Sequence, residues 1–155
     1  MAAPVPVQYA YVANLQNGSG MQPGNVSGYS LNPGTGALTQ VAGSPFGAGD
    51  GPQGVAVVPN GKFAYVANSN SNTVSAYKID PGSGDLTPVA GSPFAAGNQP
   101  VAAAADRTGA FLYVTNETDY TVSAYGINPV TGVLTAVAGS PFAACENPDG
   151  VGVGL

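Results

Sequence analysis

The chain has 155 residues, enough for one ordinary domain with a core and too few for two. Only 7% of them are charged, and three basic against eight acidic residues give a formal net charge of −5, which removes the cationic surface that gripping phosphates needs and excludes nucleic acid as a partner. With no His and a single Cys, Cys145, there is neither an internal disulfide framework nor a multi-Cys metal cage, and no cofactor is expected.

Met1–Pro6 has no basic segment followed by an apolar run, and no uninterrupted apolar stretch approaches membrane-spanning length. The sequence therefore predicts a soluble chain without membrane insertion, its compartment left open. The first strand is expected at Gln8–Asn14. Leu15–Asn25 follows as a loop rich in Gly, Asn and Gln. Beyond it the sequence repeats: Gly-Ser-Pro-Phe recurs at Gly43–Phe46, Gly91–Phe94 and Gly139–Phe142, each 48 residues after the last. Tyr29, Tyr77 and Tyr125 keep that step, as do Pro52, Pro100 and Pro148. Tyr11 to Tyr65 is 54, so the first copy carries six extra residues between Asn14 and Val26. The copies run approximately 8–52, 53–100 and 101–148, followed by a strand at 150–155.

In the second copy, four segments rich in β-branched and aromatic residues predict strands A to D: Gly54–Val58, Phe63–Asn68, Thr73–Ile79 and Leu86–Val89. Pro59–Lys62, Ser69–Asn72 and Asp80–Asp85 supply the Asn, Asp, Pro and Gly of tight hairpins. Ala90–Gln99 reads as the connection to the next copy, whose A strand is expected at Ala102–Asp106. Gly150–Leu155 aligns with the A strands. Helical periodicity is absent, so each copy is predicted to be a four-stranded antiparallel meander in an all-β fold.

A meander repeated at this length fits a β-propeller blade. Tyr65-Val66-Ala67-Asn68, Tyr113-Val114-Thr115-Asn116 and Tyr11-Val12-Ala13-Asn14, each followed by a Val-Ser-(Ala/Gly)-Tyr segment and Leu-Thr-x-Val-Ala-Gly-Ser-Pro-Phe, resemble the YVTN repeat of lactonase-type and surface-protein propellers. The resemblance covers nearly the whole chain. It implies a propeller of four-stranded blades, three per chain, with A nearest the axis and the B–C and D–A connections on one face. A bacterial surface or secreted origin is compatible with it. The recurring Tyr65, Tyr113, Phe46, Phe94 and Phe142 are expected to fill the gap between blades, and the Asn closing each motif to bond the adjoining loop backbone.

On this scheme Asp50, Glu117, Asp119, Glu146 and Asp149 fall on the B–C/D–A face, whereas Lys62, Lys78 and Arg107 lie near the opposite hairpins. The face is expected to be acidic and any small ligand to be neutral or cationic. The family's lactonases act on anionic sugar lactones, whose oxyanionic transition state requires a cation or a metal. With neither on that face, no catalytic residue is assigned. Cys145, beside Glu146, reads as an incidental thiol. Two classes remain: a non-catalytic, self-assembling scaffold or binding module, and a lactonase-like hydrolase (related to 6-phosphogluconolactonases) or a fragment of one. For assembly, Gly150–Leu155 is expected to complete the blade begun by Gln8–Asn14 of another copy, through Tyr9, Tyr11 and Val12 on one side and Val151, Val153 and Leu155 on the other. A homodimer of six blades is favoured over a nine-bladed trimer.

Overall fold

The computed structural model describes residues 7–15 and 23–154, and every described element is a β-strand. The first sheet contains β1 (Gln8–Asn14), β2 (Asn25–Leu31), β3 (Leu38–Gln40) and β4 (Phe46–Gly47). The second contains β5 (Pro52–Val57), β6 (Phe63–Asn68), β7 (Thr73–Ile79), β8 (Leu86–Pro88) and β9 (Phe94–Ala95). The third contains β10 (Pro100–Ala105), β11 (Phe111–Asn116), β12 (Thr121–Ile127), β13 (Leu134–Ala136) and β14 (Phe142–Ala143). All pairings are antiparallel, in the orders β1-β2-β3, β5-β6-β7-β8 and β10-β11-β12-β13. These are three copies of one meander. Among the described residues no helix is long and apolar enough to cross a membrane.

Turn chemistry explains the meander. Each C–D hairpin opens on a side-chain oxygen that accepts two successive amides: Asp80 Oδ1 takes Gly82 N at 2.8 Å and Ser83 N at 2.9 Å, and Asn32 and Asn128 do the same in their copies. The fourth strand differs from the expected Leu86–Val89 followed by a free connection. It is split: β8 pairs with one end of β7, and β9, inside the segment read as a loop, pairs with the other, Thr73–Val74. Gly91-Ser92-Pro93 forms the break between them, with a cis Ser92-Pro93 bond, and Ser92 Oγ accepts Ala76 N at 2.9 Å near the gap. Ser44 and Ser140 repeat that bond to Gly28 and Ala124. A hydroxyl thus replaces part of the ladder.

The core lies between sheets. Tyr65, Ala67, Val74, Leu112 and Val114 are among the residues that fill the gap between the second and third sheets; Val26, Ala64, Val66, Tyr77 and Ile79 fill that between the first and second. The A strands approach backbone to backbone, because a Cβ on Gly54 would stand 2.7 Å from Ala102 Cα and from Val101 O. Only a residue without a side chain fits there.

Candidate functional site

Each B strand separates the two ends of its sheet: Lys62 precedes β6 and Ser69 follows it, while Arg107 precedes β11 and Glu117 follows it. The B–C and D–A connections meet at one end. Asp50 O accepts Asn70 N at 3.1 Å, and Gly51 O accepts Ser69 N at 2.8 Å. In the next copy Asn98 joins three connections: its amide N and Nδ2 each donate to the Asp119 carboxylate at 2.7 Å, and its Oδ1 accepts from Asn72 Nδ2 at 3.2 Å. Gln99 N donates to Asn72 Oδ1 at 2.9 Å, its carbonyl accepts Glu117 N at 2.9 Å, and its side chain accepts from Thr118 Oγ1 at 2.6 Å. Asn72 and Gln99 adopt positive φ, 57° and 54°, to make these bonds.

Of the five acids named from the sequence, Asp50, Glu117 and Asp119 lie in connections of one end, Glu146 and Asp149 lie in the segment that leaves β14, and the three bases lie toward the other end, together with Asp80, Asp85 and Asp106. Asp119 is a clamp: the Asn98 backbone amide first, then its side-chain amide, hold its carboxyl below the usual Asp range. Glu117 and Asp50 are half-buried, and neither carboxylate accepts a hydrogen bond among the described residues. Glu146, Asp149 and the free Cys145 are exposed. No group of three or more His, Cys, Asp or Glu able to hold a metal ion occurs among the described residues. A cavity of about 560 Å³ opens at the opposite end, lined by Val7, Tyr9, Val57, Asn60 and Pro81 among others.

One expectation needs correction. Asn68 and Asn116 do not chiefly bond the loop backbone: their Nδ2 atoms donate to the C-strand hydroxyls, Thr73 and Ser75, Thr121 and Ser123, at 2.9–3.1 Å, because those hydroxyls stand beside them on the paired strand. Asn116 Oδ1 alone also accepts a loop amide, Gly97 N at 3.1 Å. The side chains of Tyr9 and Tyr11 pack toward the second sheet, with Tyr11 Oη donating to Gly84 O at 2.7 Å, and the other edge of β1 pairs with no strand among the described residues. Alternation leaves Val12 on the outer side, 46% exposed. Gly150–Gly154, including Val151 and Val153, forms no strand, and Leu155 lies outside the described residues. The clamp through Asn98 and Gln99 escaped the sequence reading because no type or spacing singles out two amides in an Asn-rich loop.

A family model described as "Lactonase, 7-bladed beta-propeller" matches residues 8–148. No curated protein matches the sequence. Among solved structures, a functionally unknown protein from Desulfotomaculum acetoxidans aligns at 26% identity and a TM-score of 0.63, over 73% of this chain and 34% of that one. A candidate 6-phosphogluconolactonase from Bacteroides fragilis aligns at 20% identity and a TM-score of 0.74, over 91% and 40%. The periplasmic gluconolactonase of Pseudomonas aeruginosa does so at 19% and 0.66, over 79% and 35%. The chain thus spans less than half the length of each of these relatives.

Proposed function

Because the chain belongs to the lactonase family of seven-bladed β-propellers, we propose that it supplies blades of a lactonase-type hydrolase whose substrate is an uncharged lactone. The family match over residues 8–148 carries this reading, and the charge of the loop face supports the choice of substrate. Water adds to the lactone carbonyl, the ring C–O bond breaks, and the product is a hydroxy acid. Glu117 and Asp50, half-buried and without hydrogen bonds to their carboxylates among the described residues, are the groups on this face free to take a proton from that water. Asp119 is held by Asn98 and serves position instead. A phosphorylated or carboxylated lactone would meet five acids and no base on this face, so a neutral ligand fits it better than an anionic one.

A second reading, a non-catalytic scaffold or binding module, is favoured by one observation: the polar groups of Asn72, Asn98, Gln99 and Asp119 bind one another. One assay separates the two. Hydrolysis of glucono-δ-lactone above the spontaneous rate, lost in Glu117→Gln or Asp50→Asn, supports the hydrolase; a rate equal to the blank at every concentration of a folded chain supports the scaffold.

A further inference from the structure

The blade-to-blade contact occurs twice within the chain, and its polar bonds repeat. A B-strand Tyr donates forward to a C–D hairpin Gly: Tyr11 Oη to Gly84 O at 2.7 Å, and Tyr65 Oη to Gly132 O at 2.9 Å. A C-strand Tyr donates backward to the split fourth strand: Tyr77 Oη to Gly47 O at 2.5 Å, and Tyr125 Oη to Ala95 O at 2.7 Å. Both hairpin glycines have positive φ and lie under an aromatic ring two residues before that Tyr. A Cβ on Gly84 would stand 2.4 Å from Tyr9 Cδ1, and one on Gly132 would stand 2.5 Å from Phe63 Cδ1.

Continuing the period gives the next members of both series. The ring and the Tyr are Phe111 and Tyr113, on the outer side of the third sheet; the glycine is Gly36, on the first sheet, where a Cβ would meet nothing within 4 Å. In the reverse direction the donor is Tyr29, on the first sheet, and the acceptor is Ala143, on the third. Neither Tyr113 nor Tyr29 has a hydroxyl partner among the described residues. Burial follows the same rule. Phe63 is 2% exposed and Phe111 41%; Val66 is 0% exposed and its counterpart Val12 46%; Leu86 is 7% exposed and its counterpart Leu38 54%. Each outer side carries one half of a contact, and both halves are on one chain.

We propose that a second copy of this chain docks head to tail on these surfaces, with Phe111 seated over Gly36 of the other copy and Tyr113 donating to that glycine's carbonyl. The same contact brings Tyr29 of the second copy to Ala143 O of the first. It also sets Gly150–Gly154 of the first copy beside the open edge of β1 in the second, the place that β5 takes beside β6. Two copies joined twice in this way make six blades, within the usual range of roughly four to eight and one fewer than in the family description. The contact is a continuation of an existing one, which is why a copy of this chain fits it. Cys145 marks the seam. Its counterparts Gly49 and Gly97 pack on Asn68 and Asn116, where a Cβ would lie 2.8 and 2.6 Å from the amide carbon, closer than a Cβ packs, so in the seam Cys145 stands against Asn14 of the other copy and the Asn14 side chain shifts to admit its Cβ.

The test is a disulfide placed across that seam. Asn14→Cys in the intact chain, mildly oxidised and run without reductant, is expected to give a covalent two-chain species that disappears when Phe111→Asp is added. Asn60→Cys, at the opposite end of the sheet, is expected not to cross-link. If Asn14→Cys does not fold, Phe111→Cys with Gly36→Cys in a Cys145→Ser chain reads the same contact, since in the internal pairs a Cβ on the glycine stands 3.0 and 3.1 Å from the ring Cγ, the position the introduced thiol would take. A folded chain that stays single with both pairs overturns the proposal. So does a three-chain product or an open ladder, which would remove the six-bladed ring, or cross-linking that survives Phe111→Asp.

Discussion

Two tyrosines at the same repeat position separate an interaction from a motif. Tyr65 is fully buried, burial raises its pKa, and its hydroxyl meets Gly132 O at 2.9 Å; Tyr113 is half-buried with no hydroxyl partner among the described residues. Tyr65→Phe leaves a buried carbonyl without its donor and is expected to cost about 1–3 kcal/mol in urea unfolding. Tyr113→Phe is expected to change the stability of a single copy by less than ~0.5 kcal/mol. Equal effects at dilutions where the chain is single would show that the hydroxyl bond is not what Tyr65 contributes. Asp119 gives a pH-dependent counterpart. Its folded pKa is depressed by Asn98, so between the folded and unfolded values the unfolded chain binds more protons and stability rises with pH. The contribution is present above the ordinary Asp pKa of roughly 3.9 and is lost as pH falls through the lower folded value. Asp119→Asn should therefore lower the melting temperature at neutral pH, and the gap to the parent chain should close on acidification below roughly pH 4. A gap that stayed constant would contradict the clamp.

At the scale of the element, the B and C strands were legible because runs of β-branched and aromatic residues bounded by turn residues mark a strand buried on both sides: Phe63–Asn68 and Thr73–Ile79 stand where the pattern placed them. The D strand was not. Its second half, β9, is two residues long and follows a Ser-Pro, a combination that reads as loop, and only the pairing with Thr73–Val74 reveals it. The A strands begin earlier than expected, at Pro52 and Pro100, with a register shift just after each. Proline at the first position of a strand is tolerated, but it reads from sequence as a break. Two substitutions test how the elements are held. Asn116→Leu strands the Gly97 amide and two hydroxyls in a fully buried position and is expected to cost at least ~3 kcal/mol. Gly54→Val forces a side chain against the Ala102 backbone, which cannot move aside as a side-chain tip would, at a cost of about 1–3 kcal/mol or more. Denaturant midpoints close to the parent's would mean that the A strands do not meet as described.

For the molecule as a whole, the sequence disclosed the repeat, the blade and the separation of charge, because each depends on which residue recurs where. It did not disclose which side of β1 faces inward, since Tyr9, Tyr11 and Val12 all suit a strand and only the partner sheet decides. The site was legible as a set of acids and not as a network, for amides such as Asn98 and Gln99 are defined by what they meet. The charge has a consequence for chemistry: hydrolysis of glucono-δ-lactone should exceed that of its 6-phosphate by at least about tenfold at low salt, and a preference for the phosphate would contradict the acidic mouth. The periodic seam couples the sequence repeat to packing and assembly. Its most direct test is the mass of the intact 15.2 kDa chain by light scattering across concentration. A folded species of two chains, reduced to one by Phe111→Asp, is expected; a well-folded single chain at every concentration would contradict the seam.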